Sequence, residues 1–237
     1  MKNKINGGGG GKHHLGTVLF FGRDNCIYSE KVKKILKKNS KKFYFIKSKK
    51  IGENIKKKFL KIKYDYIFCF RSYYILRKNI LKNTKKAAIN FHPGPPEYRG
   101  TGCVNYAIYE NSRFYGCTAH IINEKIDDGK IIGVKKFKLN KKASVEEVLN
   151  KTYKIMFSLS IFIIKKILEN PENVLKLIKK NIYNKWSNKI YKLKDLHKFY
   201  EIHLKIKKKE FDRKIRATYT KNFKPFIYFY KKKFILC

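Results

Sequence analysis

Arginine is what this chain has least of for its charge. Only seven of its 58 basic residues are arginine, 17 residues are acidic, and the net charge is +41. Phosphate and base recognition leans on the planar arginine fork. Lysine is instead spread through every segment beside Ile, Asn, Tyr and Phe, the residues that AT-rich codons (AAA, AAT, ATA, TAT) supply. A field this positive still draws polyanions, whatever its origin. The five cysteines form an odd set without CxxC spacing, which fits a reduced, cytoplasmic protein. The longest apolar run, Ile155 to Ile164, is ten residues between lysines, too short to cross a bilayer. The polar, glycine-rich N-terminus does not read as a secretory signal. Two nucleotide motifs are also missing. The first strand is not followed by GxGxxG, and in the glycine run Lys12 precedes His13 rather than Ser or Thr, ahead of the strand instead of after it. His13-His14 is too little to expect a metal. No internal repeat is present.

What remains is enough for a core, with 43% hydrophobic and 15% aromatic residues. Residues 1–15 read as a flexible leader. Apolar runs predict strands over Thr17–Phe21, Lys42–Ile46 and Tyr64–Phe70. The periodicity between them predicts helices over Ser29–Lys38 and Ile51–Leu60. Strand, helix, strand, helix, strand is the pattern of a doubly wound α/β sheet with parallel neighbours. Arg71–Leu81 reads as a loop and short helix, Ala87–Phe91 as a small-residue central strand, and Thr101–Asn111 as a helix. Strands are expected over Tyr115–Ile122 and Lys130–Leu139. Ser144 and Glu147 make a capping box for a helix that stops before Pro171, and a short helix is expected over Asn173–Ile182. The main domain is placed at residues 16–183, and residues 184–237 form a short α+β extension. In that extension Arg213 and Arg216 share a helical face and could meet a phosphate or water.

The background breaks between Ala87 and Ile132, which holds three of the five prolines, isolated glycines, and Asn90, His92 and Asp127. Asn90 and His92 are two apart on a strand and project to the same side. Strand ends in an open α/β sheet are where chemistry usually sits. An amide can stabilise a developing oxyanion, an imidazole can move protons, and a carboxylate can orient the imidazole. Together they suit acyl transfer to an amine.

The linked motifs resemble the folate-dependent formyltransferases, a family that includes glycinamide ribonucleotide transformylase, methionyl-tRNA formyltransferase, formyltetrahydrofolate deformylase and amino-sugar N-formyltransferases. The family pattern N-x-H-x-S-L-L-P-x-(Y/W)-(R/P)-G, G-x-T-x-H and D-x-G is met by Asn90-Phe-His92-Pro-Gly-Pro-Pro-Glu-Tyr98-Arg99-Gly100, Gly116-Cys-Thr118-Ala-His120 and Asp127-Asp-Gly129. The resemblance covers roughly residues 16–182 and implies a mostly parallel sheet of the formyltransferase type. It assigns catalysis to Asn90, His92 and Asp127, with 10-formyltetrahydrofolate as co-substrate and no metal. It places the pterin against Arg71, Ser72, Tyr74, Ile75 and Leu76 and against Asn123 and Ile126. It sets Pro95, Tyr98, Arg99 and Gly100 on the acceptor side. Gly94-Pro95-Pro96-Glu97 departs from S-L-L-P, so the loop does not name the acceptor. The tail is too short for the β-barrel of methionyl-tRNA formyltransferases, although Glu210–Ala217 resembles the start of that region. The expectation is formyl transfer to a small primary amine, a nucleotide-linked amino sugar. Alternatives are formylation of methionyl-tRNA, hydrolysis of formyltetrahydrofolate, and non-catalytic binding of tRNA or another polyanion.

Overall fold

The computed structural model describes residues 14–236, so the leader expected over 1–15 lies almost wholly outside them. Four parallel strands form the centre: β1 (Thr17–Arg23), β2 (Lys42–Ser48), β3 (Tyr64–Phe70) and β4 (Thr84–His92). The next strand in sequence is a two-residue piece, β5 (Arg99–Gly100), which lies outside this sheet. Strands β6 (Phe114–Ile121) and β7 (Ile131–Lys138) continue the sheet antiparallel, giving the order β2-β1-β3-β4-β6-β7. The fold is thus α/β with a mostly parallel central sheet.

Alternation along β1 explains why its run is apolar throughout. Val18 and Phe20 pack into a core with Val32 and Leu36 of α1 (Ile27–Lys38) and with Met156, Ile163 and Ile167 of α5 (Val145–Glu169). Leu19 and Phe21 face the opposite layer with Ile67, Leu76 and Ile80, the last from α3 (Lys78–Leu81). A strand covered on both faces needs side chains of this type in both directions. The capping box opens α5: the Glu147 N–H donates to Ser144 Oγ at 3.2 Å, and the Ser144 N–H donates to Glu147 Oε2 at 2.7 Å.

The helix expected over Ile51–Leu60 shrinks to four residues, α2 (Lys57–Leu60). Gly52 takes φ +86° and Lys56 is extended, so the backbone leaves the helical basin although Ile55 and Phe59 still pack on the sheet. The expected helix over Thr101–Asn111 appears as α4 (Cys103–Tyr109), and α6 spans Asn173–Lys180.

Past α6 the chain wraps back over the strand ends. The short β8 (Ile190–Tyr191) pairs in parallel with β5. Gly100 sits at φ +100°, and a Cβ there would lie 2.2 Å from the Tyr191 carbonyl oxygen, so this pairing requires glycine. Next come α7 (Leu193–Phe199), α8 (Lys208–Thr218) and the hairpin β9 (Phe226–Phe229) and β10 (Lys232–Ile235). The Arg213 and Arg216 guanidiniums bond backbone carbonyls of the main-domain side of the chain. Arg213 donates to the Tyr109 carbonyl at 2.8 Å, and Arg216 to the Ile108 carbonyl at 3.0 Å. They cap the C-terminal end of α4, where cations are favoured.

Candidate functional site

The antiparallel pairing of β4 with β6 sets His120 opposite Asn90 and Thr118 opposite His92. The Asn90 amide therefore meets a second imidazole, with Asn90 Nδ2 3.1 Å from His120 Nε2. His120 Nδ1 lies 2.9 Å from the Ile121 carbonyl oxygen. A carbonyl oxygen only accepts, so Nδ1 is the donor in that contact. Thr118 donates to the Gly94 carbonyl at 2.8 Å and ties the Pro/Gly loop to the sheet.

Asp127 arrives from the loop between β6 and β7, with φ +44°, a conformation non-glycine residues hold only when their surroundings enforce it. Its Oδ2 lies 3.3 Å from His92 Nδ1 and accepts the Gly100 N–H at 3.0 Å. Its Oδ1 lies 3.4 Å from His120 Nε2 and 3.5 Å from Asn90 Nδ2. Burial alone would raise the Asp127 carboxyl. The His92 charge, the His120 contacts and the Gly100 N–H outweigh it and hold the group well below the usual carboxylate range. Asp127 is thus an ionised anchor. Its neighbour Asp128 turns away to Arg99 at 3.0 Å.

The other side of His92 is equally confined. His92 Nε2 donates to the Tyr98 carbonyl at 3.0 Å, and Cys103 Sγ stands 3.7 Å away. Burial, then Asp127, push the Cys103 thiol up, so it is a neutral wall and not a thiolate. Gly94 is required here: a Cβ would lie 2.7 Å from both His92 Nε2 and the Tyr98 carbonyl oxygen. His92, His120 and Asp127 are all buried, whereas Asn90 is partly open. Access to the trio therefore runs past the amide.

Among the residues expected on the acceptor side, Gly100 touches Asp127, while Pro95, Tyr98 and Arg99 turn inward. The Pro95 carbonyl accepts the Tyr98 N–H at 2.9 Å. The Tyr98 hydroxyl donates to Glu110 at 2.8 Å. Arg99, buried, donates to the Ile126 carbonyl at 2.8 Å and to the Ser187 carbonyl at 3.3 Å. It clamps the Asp127 loop to the returning tail.

The residues expected around a pterin form two loops at the strand ends. Arg71, at φ +55°, stacks its guanidinium 3.5 Å from the Tyr153 ring and accepts from Arg23 through its carbonyl at 3.0 Å. Ser72 Oγ accepts the Tyr74 N–H at 3.0 Å, and the Tyr74 ring packs against Phe21 at 5.2 Å. Leu76 is buried and Ile75 exposed, and their backbone groups make no hydrogen bond among the described residues. In the second loop Ile126 is exposed, and Asn123 donates to Asp128 at 3.4 Å.

Two neighbours of the trio were not singled out in the sequence. His120 was visible only as a motif letter, since its position follows from strand pairing. Trp186, the sole tryptophan, comes from the tail. Its indole N–H donates to the Gly129 carbonyl at 2.8 Å. Its ring sits edgewise 5.1 Å from His120 and 5.9 Å from His92. Among the described residues no group of three or more His, Cys, Asp or Glu could hold a metal.

The profile of the formyl transferase family matches residues 20–159, a stretch that holds every member of the trio. The chain belongs to the formyl transferase family. A relative within that family, the methionyl-tRNA formyltransferase of Ehrlichia ruminantium (strain Gardel), is 28% identical over 117 residues, 49% of this chain and 37% of that protein. The match thus spans well under half of that curated relative's length. Among solved formyltransferases, a sugar N-formyltransferase from a Shewanella species superposes with a TM-score of 0.68 at 18% identity, covering 94% of this chain and 97% of that one. The N-formyltransferase of Helicobacter canadensis, solved with folinic acid and dTDP-3-aminofucose, superposes at 0.65 with 18% identity, covering 91% and 84%. At these identities the likeness shows a shared fold.

Proposed function

We propose that this chain transfers a formyl group from 10-formyltetrahydrofolate to a primary amine, with a nucleotide-linked amino sugar as acceptor. The observation that carries the reading is the convergence of Asn90, His92 and Asp127 at the open end of β4, within 3.3 to 3.5 Å of shared contacts. The folate would supply an activated formyl carbonyl. The Asn90 amide, the partly open member, would donate to the carbonyl oxygen as negative charge develops there. His92, confined between a carboxylate and a carbonyl, would sit beside that oxygen as a proton donor. Asp127 would keep His92 oriented. As the amine adds it would shed a proton to water, and the intermediate would collapse by breaking the bond from the formyl carbon to the folate nitrogen, which would take up a proton as tetrahydrofolate leaves. The backbone groups of Ile75 and Leu76, without hydrogen bonds among the described residues, fit a flat polar ring read by main-chain groups.

The amino-sugar acceptor is supported by the Helicobacter canadensis structure, whose fold this chain shares and which holds a nucleotide-linked amino sugar. The net charge of +41 and the Ehrlichia ruminantium relative favour methionyl-tRNA as the second reading. Release of tetrahydrofolate, followed by mass spectrometry of the product, separates them. Formylated dTDP- or UDP-amino sugars are expected. Turnover with methionyl-tRNA alone would replace that acceptor, and formate release without any acceptor would replace transfer with hydrolysis.

A further inference from the structure

A cavity of about 490 Å³ opens where α4, α7 and α8 meet, toward the C-terminal end of α4 and away from the trio. That volume suits a small organic ligand. Its walls are aromatic: Phe199 lies 4.9 Å from Tyr106 and 5.0 Å from Tyr109. Its rim is basic. Lys205 and His203 are exposed, and their side chains make no ion pair or hydrogen bond among the described residues. Lys214 donates to the Glu201 carbonyl. Burial pushes its ammonium below the ordinary lysine range despite Glu210 and Glu201, so an arriving anion would supply missing countercharge. Two carboxylates also line the cavity. Glu110 accepts from Tyr98, Tyr191 and Lys189, and Glu210 from Tyr109 and Arg213. Each carboxylate retains lone pairs for further donors.

Aromatic walls, a basic rim and spare acceptors are complementary to a planar base, a phosphate and sugar or base donors respectively. We propose that this cavity is a nucleotide-binding site, taking a nucleoside monophosphate or the corresponding part of a larger nucleotide. The site does not depend on formyl transfer, so its test needs no turnover. Its floor also reaches the trio's surroundings, since Glu110 holds the Tyr98 hydroxyl at 2.8 Å and the Tyr98 carbonyl faces His92 at 3.0 Å.

The test is calorimetric titration of the full chain with adenosine 5′-monophosphate and uridine 5′-monophosphate, with inorganic phosphate and adenosine as half-ligands. Lys205→Glu removes a rim cation, and Tyr109→Leu removes an aromatic wall at similar bulk. Lys57→Glu on distant α2 makes the same charge change as a control, and His92→Ala probes the trio. Thermal melts verify that each variant is folded. The expected result is nucleotide binding tighter than either half, weakened about tenfold or more by Lys205→Glu and by Tyr109→Leu, and unchanged by Lys57→Glu and His92→Ala. Four results would overturn the proposal: no binding at millimolar nucleotide, phosphate alone binding as well, equal loss in Lys57→Glu, or loss confined to His92→Ala.

Discussion

Asp127 meets an imidazole nitrogen and a backbone N–H with one oxygen, and a second imidazole with the other. Its folded carboxyl lies below the ordinary value of 3.8, so the ionised form stabilises the fold above that pH. That stability fades as pH falls through 3.8 toward the lower native value. Asp127→Asn is expected to lose about 1–3 kcal/mol at pH 7, with the gap to wild type closing below about pH 4. Urea midpoints at pH 7 and pH 3 check this. Gly94 makes a sharper demand, because its missing Cβ is the space His92 uses. Gly94→Ala should cut kcat by about tenfold to a hundredfold through misplacement of the ring, with folate affinity nearly unchanged in a binding titration. At this scale the sequence was half legible. Asn90, His92 and Asp127 stood two apart on one strand or in a marked turn. His120 and Trp186 could not be placed, because one reaches the trio through cross-strand register and the other from 57 residues beyond the glycine it bonds.

Among the elements, α5 carries its own start signal. Ser144→Ala should cost about 1 kcal/mol by breaking the capping box, seen as a lower urea midpoint with turnover unchanged. The apolar runs of β1, β3 and β4 were legible because both sheet faces are covered there. The segment Ile51–Leu60 misled because Ile55 and Phe59 keep helix-like spacing while Gly52 breaks the backbone. The tail from Trp186 to Tyr191 is the element whose contribution local sequence concealed. It reaches Pro96 through the Ser187 N–H at 2.9 Å, pairs with β5, and sets the indole against both imidazoles. Trp186→Phe retains a ring but loses the N–H bond to Gly129. Turnover should fall several-fold while the melting temperature moves by about 4 °C or less. An unchanged kcat would show the tail to be packing alone.

Over the whole molecule, alternation of strands and helices foretold a doubly wound sheet, but not that β6 and β7 run antiparallel at its edge, since strand order is a long-range choice. Charge is the other property of this scale. At +41 the protein should bind unstructured RNA, with affinity falling at least about tenfold between roughly 50 and 200 mM salt. Formylation of a small acceptor held by local contacts should change far less over the same range, and parallel filter-binding and turnover series would show whether the two separate. The central claim is that Asn90, His92 and Asp127 perform formyl transfer, and isotope-labelled donor tests it most directly. With labelled 10-formyltetrahydrofolate and an amino-sugar nucleotide, the wild-type chain should pass label to the amine. Asn90→Ala and His92→Ala should lower that transfer about a hundredfold or more while remaining folded and binding folate. Label transfer at the wild-type rate in both variants would contradict the account.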